Sequence, residues 1–118
     1  DSYVNHNGRN YIAMLFSSRE GTSKCGRYDG SSSDVTVTTG FQPRFVIIKA
    51  YNNQRHWTVM DTLRGWGSGV DNKIYLSSSI AQVNTWNYGT PTSTGFTVSH
   101  SQYDVNYTGW KYIYYAHA

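Results

Sequence analysis

Residues 43–63 read PRFVIIKAYNNQRHWTVMDTL and predict two paired central strands. The residues from Phe45 to Ile48 are apolar without alternation, which indicates a strand buried on both faces. Trp57 and Val59 follow the two-residue period of a second strand, and the link 52–55 is short enough for a hairpin. We therefore predict that four apolar side chains of this hairpin seal the core: Phe45, Ile47, Trp57 and Val59.

Outside this hairpin, strand-length segments recur between Gly, Ser, Asn and Pro, while no stretch sustains a helical period. Such spacing predicts an all-β fold, an antiparallel β-sandwich of the jelly-roll or lectin-like kind, with about nine strands. The predicted strands are 10–16, 24–28, 34–38, 44–51, 56–61, 73–76, 81–86, 95–99 and 111–117.

Length and composition limit the class of protein. The 118 residues suit a single domain spanning 1–118, and 16% aromatic residues argue against disorder. The ten Lys and Arg residues are scattered, so no nucleic-acid partner is expected. The apolar runs are only as long as strands, so no membrane insertion is expected either. Cys25 is the one cysteine, which excludes a disulfide within the chain.

The two ends of the chain echo each other. VNHNGRNYIAMLF, which begins at Val4, aligns without gaps with VNYTGWKYIYYAH, which begins at Val105. Both segments predict an Asn-x-x-Gly turn that leads into a strand. Residues 1–16 are therefore interpreted either as the terminal strand of a preceding tandem unit or as one of two similar strands in one sheet.

The chain also resembles a repeat found near the C-termini of phage tail-fibre and other virion structural proteins. Its pattern is T-G-F-x-P-x-[FL]-V-x-[IV]-K, then W-x-[VI]-x-D-x-x-R-G, then G-F-x-[VIL] and V-N-x-x-G-x-x-Y-[IV]. The matching residues here are Gly40, Phe41, Pro43, Phe45, Val46, Ile48, Lys49, Trp57, Val59, Asp61, Arg64, Gly65, Gly95, Phe96, Val98, Val105, Asn106, Gly109, Tyr112 and Ile113.

The resemblance implies a β-sandwich module on a virion appendage, at the virion surface or outside the cell. It brings no catalytic residues with it. The partners it implies are a host surface glycan or protein and other virion proteins. A homo-oligomer is also expected, a trimer by analogy with other virion parts.

Motifs for catalysis and metal binding are weak. We interpret Asp61 as a turn residue that pairs with Arg64, since a glycosidase needs a second carboxylate that only the fold could supply, from Asp34, Asp71 or Asp104. The four histidines show no ligand spacing, so no metal and no cofactor are expected. We predict a non-enzymatic protein, and a depolymerising enzyme is the least favoured alternative.

Aromatic residues in loops are the candidate ligand contacts, because sugar rings stack on Trp and Tyr while Asn takes hydroxyl groups. Trp66 lies between glycines in a polar loop with few local neighbours to bury it. The candidates are Trp66, Trp86, Asn87, Tyr88, Tyr107 and Trp110, and each of them could instead pack on its own sandwich end or on a neighbouring subunit. The predicted function is a tail-fibre or adhesin module that binds a host glycan or protein, and the alternative is a structural or assembly module without a ligand.

Overall fold

The computed structural model describes residues 3–118, which form two antiparallel sheets. One sheet has five strands in the order β1-β8-β3-β4-β5, and the other has three in the order β2-β7-β6. The strands are β1 (Ser23–Asp29), β2 (Val35–Thr38), β3 (Phe45–Ala50), β4 (Thr58–Asp61), β5 (Lys73–Tyr75), β6 (Gly89–Thr92), β7 (Gly95–Val98) and β8 (Lys111–His117), with one short 3-10 helix at Thr62–Arg64. No helix in this part of the chain is long and apolar enough to cross a membrane.

The sheets pack through aromatic side chains. Phe96 of β7 meets Tyr114 of β8 edge to face, with 5.4 Å between the ring centroids. Gly26 of β1 lies opposite Tyr114, and a Cβ there would come within 2.6 Å of the Tyr114 hydroxyl, so the close approach requires glycine. This packing confirms the predicted all-β antiparallel sandwich.

The predicted hairpin of β3 and β4 is confirmed, with Ile47 paired opposite Val59. The predicted core face is wrong. Val46, Ile48 and Met60 are fully buried between the sheets, whereas the opposite, outer face of the five-stranded sheet carries the four side chains that were expected to seal the core: Phe45, Ile47, Trp57 and Val59.

The error has a simple cause. Successive strand residues point to opposite faces, so four apolar residues in a row make both faces apolar without saying which one meets the second sheet. Trp57 is 41% exposed, and the outer face is only partly covered. The sequence therefore predicted the β3–β4 hairpin correctly and the side of the core incorrectly.

Two predicted strands do not form, and one strand was missed. Residues 10–16 contain no strand, and residues 81–86 contribute only a single bridge between Val83 and Lys73. β6 was missed because Gly89 and Pro91 disfavour strands, but it lies at a sheet edge, where Pro is tolerated. The structure thus has eight strands within residues 3–118.

Residues 10–16 test one of the two interpretations of the sequence echo. Since the N-terminal copy forms no strand, the interpretation as two similar strands in one sheet is wrong. The tandem-unit interpretation of 1–16 stays a prediction, and residues 1–2 lie outside the described part of the chain.

Candidate functional site

A polar pocket of about 270 Å³ opens at one end of the sandwich, beside the edge strand β5. Three loops complete it: the β3–β4 link, the segment that precedes β6 and the segment between β7 and β8. The lining residues are Arg55, Lys73, Tyr75, Val83, Thr85, Trp86, Tyr88, Gln102, Tyr103 and Asp104.

Asp104 forms the floor of the pocket, with a side chain that is only 5% exposed. Its Oδ2 accepts from the ammonium of Lys73 and, at 2.8 Å, from the hydroxyl of Tyr75. Its Oδ1 accepts from Nε of Arg55 at 3.1 Å. The buried carboxylate therefore has three donors, two of them charged, which is the arrangement that a buried charge requires.

Strand β5 positions Lys73, whose ammonium pairs with Asp104 in the floor of the pocket. Lys73 and Tyr75 are two residues apart, so their side chains share the inner face of the strand. Burial of Lys73 is nearly complete, and its ammonium lies 3.9 Å from the ring centroid of Tyr88 and 4.9 Å from that of Tyr75. The aromatic faces thus solvate the part of the cation that Asp104 does not reach.

The loop that carries Asp104 is held by a tight turn. The backbone N–H groups of Val105 and Asn106 both donate to the Gln102 carbonyl, and the Tyr112 hydroxyl donates to the Tyr103 carbonyl at 2.9 Å. Asp104 is therefore presented by fixed backbone rather than by a free loop.

Asn106 clamps the same loop from beneath. Its side chain is fully buried, and Oδ1 accepts from the Ser31 N–H at 2.8 Å. Its Nδ2 donates to the Ser33 carbonyl at 2.9 Å and to the Val98 carbonyl at 3.3 Å. One amide side chain thus joins the pocket loop to the β1–β2 connection and to β7.

The charge state of the floor follows from these contacts. Burial alone would raise the pKa of the Asp104 carboxyl, but hydrogen bonds from Lys73 and Tyr75 and the nearby positive charges outweigh it and hold this pKa below its ordinary value. Burial would likewise lower the pKa of Lys73, yet its bonds to Asp104 and the two tyrosines raise that pKa. At neutral pH both groups are ionised.

These shifts predict a pH dependence of stability. A lowered carboxyl pKa stabilises the fold above about pH 4, the unfolded value, and the contribution is lost as the pH falls through the folded pKa. The raised pKa of Lys73 stabilises the fold below about pH 10, and this is lost only above that value. We expect the melting temperature of the wild-type chain to fall more steeply below pH 4 than that of the double variant Lys73→Met/Asp104→Leu. Parallel melting curves from pH 2.5 to pH 7 would contradict this.

Two exposed aromatic rings stand at the rim above this floor. Trp86 is 59% exposed and Tyr103 is 46% exposed. The guanidinium of Arg55 lies over the Tyr103 ring at 5.4 Å, and Tyr103 stacks on Tyr107 with 4.3 Å between centroids. Trp110 packs against both tyrosines, so the ring of Tyr103 is supported from behind.

A buried aspartate holds the other side of the rim. Asp71 is fully buried and accepts from three backbone N–H groups, those of Gly67 at 2.7 Å, Tyr88 at 2.6 Å and Gly89 at 3.1 Å. Its own N–H donates to the Trp86 carbonyl at 2.9 Å. The backbone beneath the Trp86 ring is thereby fixed.

The sequence-predicted contacts separate into three groups. Trp86 and Tyr88 line the pocket, and Tyr107 and Trp110 adjoin it through Tyr103. The remaining two, Asn87 and Trp66, lie elsewhere: Asn87 is exposed and accepts from the Gly89 N–H at 2.9 Å.

Trp66 belongs to the core. It is 3% exposed and meets Phe96 edge to face at 6.1 Å, so the expectation that its polar loop leaves it without neighbours is wrong. The loop folds back because Asp71 binds the N–H of Gly67, the next residue in the chain. Local composition gave no sign of this, since the carboxylate that turns the loop lies four residues further along.

Sequence reasoning missed most of the floor and half of the rim. The missed residues are Arg55, Lys73, Tyr75, Gln102 and Tyr103, and Asp104 was considered only as a possible second acid. One signal was available: a lysine at an inward position of a strand needs a buried partner.

Asp61 pairs with Arg44 at 3.3 Å and caps the 3-10 helix through the Leu63 N–H, so its predicted pairing with Arg64 is wrong.

Between residues 3 and 118, no three His, Cys, Asp or Glu side chains are grouped as metal ligands would be.

In comparisons with known proteins, a family model described as "Domain of unknown function (DUF7483)" matches residues 1–118. No curated protein and no solved structure matches the chain.

Proposed function

The chain belongs to the DUF7483 family along its whole length, and since that description names no activity, we propose from the pocket that it is a carbohydrate-binding module without catalytic activity. The observation that carries the proposal is the fixed, ionised Asp104 beneath two exposed rings, Trp86 and Tyr103. Aromatic faces accept the C–H faces of a sugar ring, and charged groups fixed in a pocket select and orient its hydroxyl groups.

The pocket also suits a saccharide by size and by the donors it leaves free. At about 270 Å³ it lies near the lower end of ligand pockets, which fits one sugar residue of a longer chain. Arg55 uses Nε for Asp104, and its two Nη groups have no hydrogen-bond partner among residues 3–118. These donors point to a ligand with acceptor oxygens.

The charge balance favours an acidic saccharide. The floor holds two cations, Arg55 and Lys73, against the single carboxylate of Asp104. Lys73 is buried against its partner, but the Arg55 side chain is 37% exposed and its guanidinium can form a bidentate pair with a sugar carboxylate. We therefore propose that uronic or sialic acid residues bind more tightly than neutral hexoses.

The same geometry argues against hydrolysis at this pocket. A glycosidase needs one carboxyl group that donates a proton and a second one nearby. Asp104 is the one carboxylate among the pocket residues, and its lowered pKa keeps it ionised at neutral pH. It is therefore a hydrogen-bond acceptor rather than a general acid.

The proposal predicts a selective loss of binding. Trp86→Ala and Tyr103→Ala should each weaken saccharide binding at least tenfold, because each removes a stacking face, while the melting temperature changes little because both rings are exposed. A glycan array should identify the saccharide, and isothermal titration calorimetry should measure the affinity.

Trp57→Ala is the matched control, since Trp57 is also exposed but lies on the outer face of the five-stranded sheet. It should bind as the wild type does. A folded wild-type chain that binds no saccharide on the array, or a Trp86→Ala variant that binds with unchanged affinity, would refute the proposal.

The setting of this module follows from the sequence resemblance rather than from the pocket. We propose a virion appendage as that setting, with a host surface glycan as the ligand and other virion proteins as neighbours. The assembly alternative has a separate observation in its favour, an exposed apolar segment near the N-terminus.

A further inference from the structure

The segment 10–16, hereafter the arm, exposes several large apolar side chains. Residues 11–16 read YIAMLF, with no charged residue. Ile12 is 95% exposed, Leu15 is 90% exposed and Met14 is 73% exposed. Soluble monomers rarely expose contiguous apolar surface of this kind, and where they do it commonly marks an interface.

The arm rests on its own sheet, but only through one side. Phe16 contacts the Tyr115 ring at a centroid distance of 4.6 Å, and Met14 and Phe16 face Ile47 and Trp57 on the outer face. Adjoining cavities of about 370 and 340 Å³ remain between the arm and this face. This contact does not bury Ile12 or Leu15.

The arm does not continue into a hairpin with β1. A bridge between Arg19 and Ser23 begins one, but the next contacts come from side chains. Ser23 Oγ donates to the Ser17 carbonyl at 2.8 Å, and the Cys25 N–H donates to Ser18 Oγ at 3.0 Å. The side chains of Ser23 and Ser18 thus take the place of backbone ladder bonds, and the arm turns away from the sheet edge.

β1 therefore keeps an open edge. It pairs with β8 on one side, and no strand in the described part of the chain pairs with its other side. The N–H groups of Ser23 and Cys25 point to that open side, so by alternation the N–H and C=O of Arg27 point there too. These two Arg27 groups have no partner among residues 3–118, which leaves them available to an added strand.

The sequence of the arm is that of a strand that β1 already accepts. Tyr11 and Ile12 correspond to Tyr112 and Ile113 of β8 in the internal echo, and β8 is the strand that pairs with β1 on its other side. The arm is apolar on both faces, so as an added strand it would extend both the inner face and the apolar outer face of the sheet.

From these observations we propose that the arm of one copy of this chain adds as a strand to the open β1 edge of a second copy. A second copy is favoured over an unrelated protein because the exposed apolar segment and the open part of the β1 edge at Arg27 belong to the same chain. If each copy gives its arm to the β1 edge of the other, the arm and the edge of both copies are used. This is the self-complementary contact of a twofold dimer.

Native mass spectrometry and sedimentation of the full chain from 1 to 200 µM test the proposal. The wild-type chain should form a species of two or more copies as the concentration rises. The double variant Ile12→Asp/Leu15→Asp should raise the dissociation constant at least tenfold, with an unchanged melting temperature because both side chains are exposed. Leu63→Asp, at a leucine that is 79% exposed on the 3-10 helix, is the matched control and should associate as the wild type does.

Hydrogen exchange locates the contact without any substitution. The Arg27 amide should exchange at least tenfold more slowly in the concentrated sample than in the dilute one. A wild-type chain that stays monomeric at 200 µM, a double variant that associates equally well, or an Arg27 amide that exchanges at the same rate at both concentrations would overturn the proposal. A saccharide-binding defect is expected in none of these variants, so this proposal and that of the pocket can fail separately.

Discussion

Replacing Asp104 with Ala is expected to lower the free energy of unfolding by about 3–5 kcal/mol, the cost typical of removing one partner from a buried ion pair. The cost arises chiefly at Lys73, whose side chain is 3% exposed and would retain an uncompensated charge. The hydroxyl of Tyr75 and Nε of Arg55 would lose their acceptor as well. Urea denaturation followed by tryptophan fluorescence measures the change.

A double-mutant cycle identifies the cause. Lys73→Met alone should cost less than Asp104→Ala, because Asp104 keeps Arg55 and Tyr75 as partners. The double variant Lys73→Met/Asp104→Leu should be more stable than the sum of the single effects implies, because it leaves no buried charge unpaired. If Asp104→Ala costs less than about 1 kcal/mol, the Lys73–Asp104 pair behaves as an exposed ion pair and the double-mutant prediction is wrong.

Asn106→Ala is expected to destabilise the fold by about 2–4 kcal/mol, because a buried group that loses its hydrogen-bond partner costs about 1–3 kcal/mol and a partly exposed group costs less. Three backbone groups lose their partner: the Ser31 N–H and the carbonyls of Ser33 and Val98. Asn106→Asp should also destabilise the fold, since a carboxylate cannot donate to the two carbonyls.

Asn84→Ala serves as the matched control, because Asn84 is exposed and its replacement should change stability by no more than about 0.5 kcal/mol. Thermal and chemical unfolding of the three variants give the comparison. An Asn106→Ala chain that unfolds at the wild-type denaturant concentration would contradict the role of Asn106 as the clamp of the pocket loop.

The architecture was largely predictable from local patterns, whereas the side of the core was not. Turn residues at regular intervals predicted the sandwich, and the short link after β3 predicted its hairpin with β4. Which face of β3 is buried depends on the position of β7, which lies far along the chain. With Val46 and Ile47 equally apolar, the local sequence contains no information on that choice.

The site was predictable in half of its rim but not in its floor. Trp86 could be recognised because an aromatic residue in a polar loop is conspicuous without any structure. The floor joins Arg55, Lys73 and Asp104 from three separate segments, and only the tertiary fold brings their charges together. Trp66 shows the converse case: it is conspicuous in the sequence, but it is buried because its loop is turned by the carboxylate of Asp71.

The contrast between a clamped floor and exposed rings has a consequence for how a module of this kind diversifies. Replacing Asp104 or Lys73 alone is expected to destabilise the fold, so selection for a stable product favours keeping both. Trp86 and Tyr103 are exposed, so the replacement of either ring is expected to cost little stability. Under the proposed saccharide-binding function, the preference among saccharides can therefore change through the exposed rings while the buried ion pair beneath them stays the same.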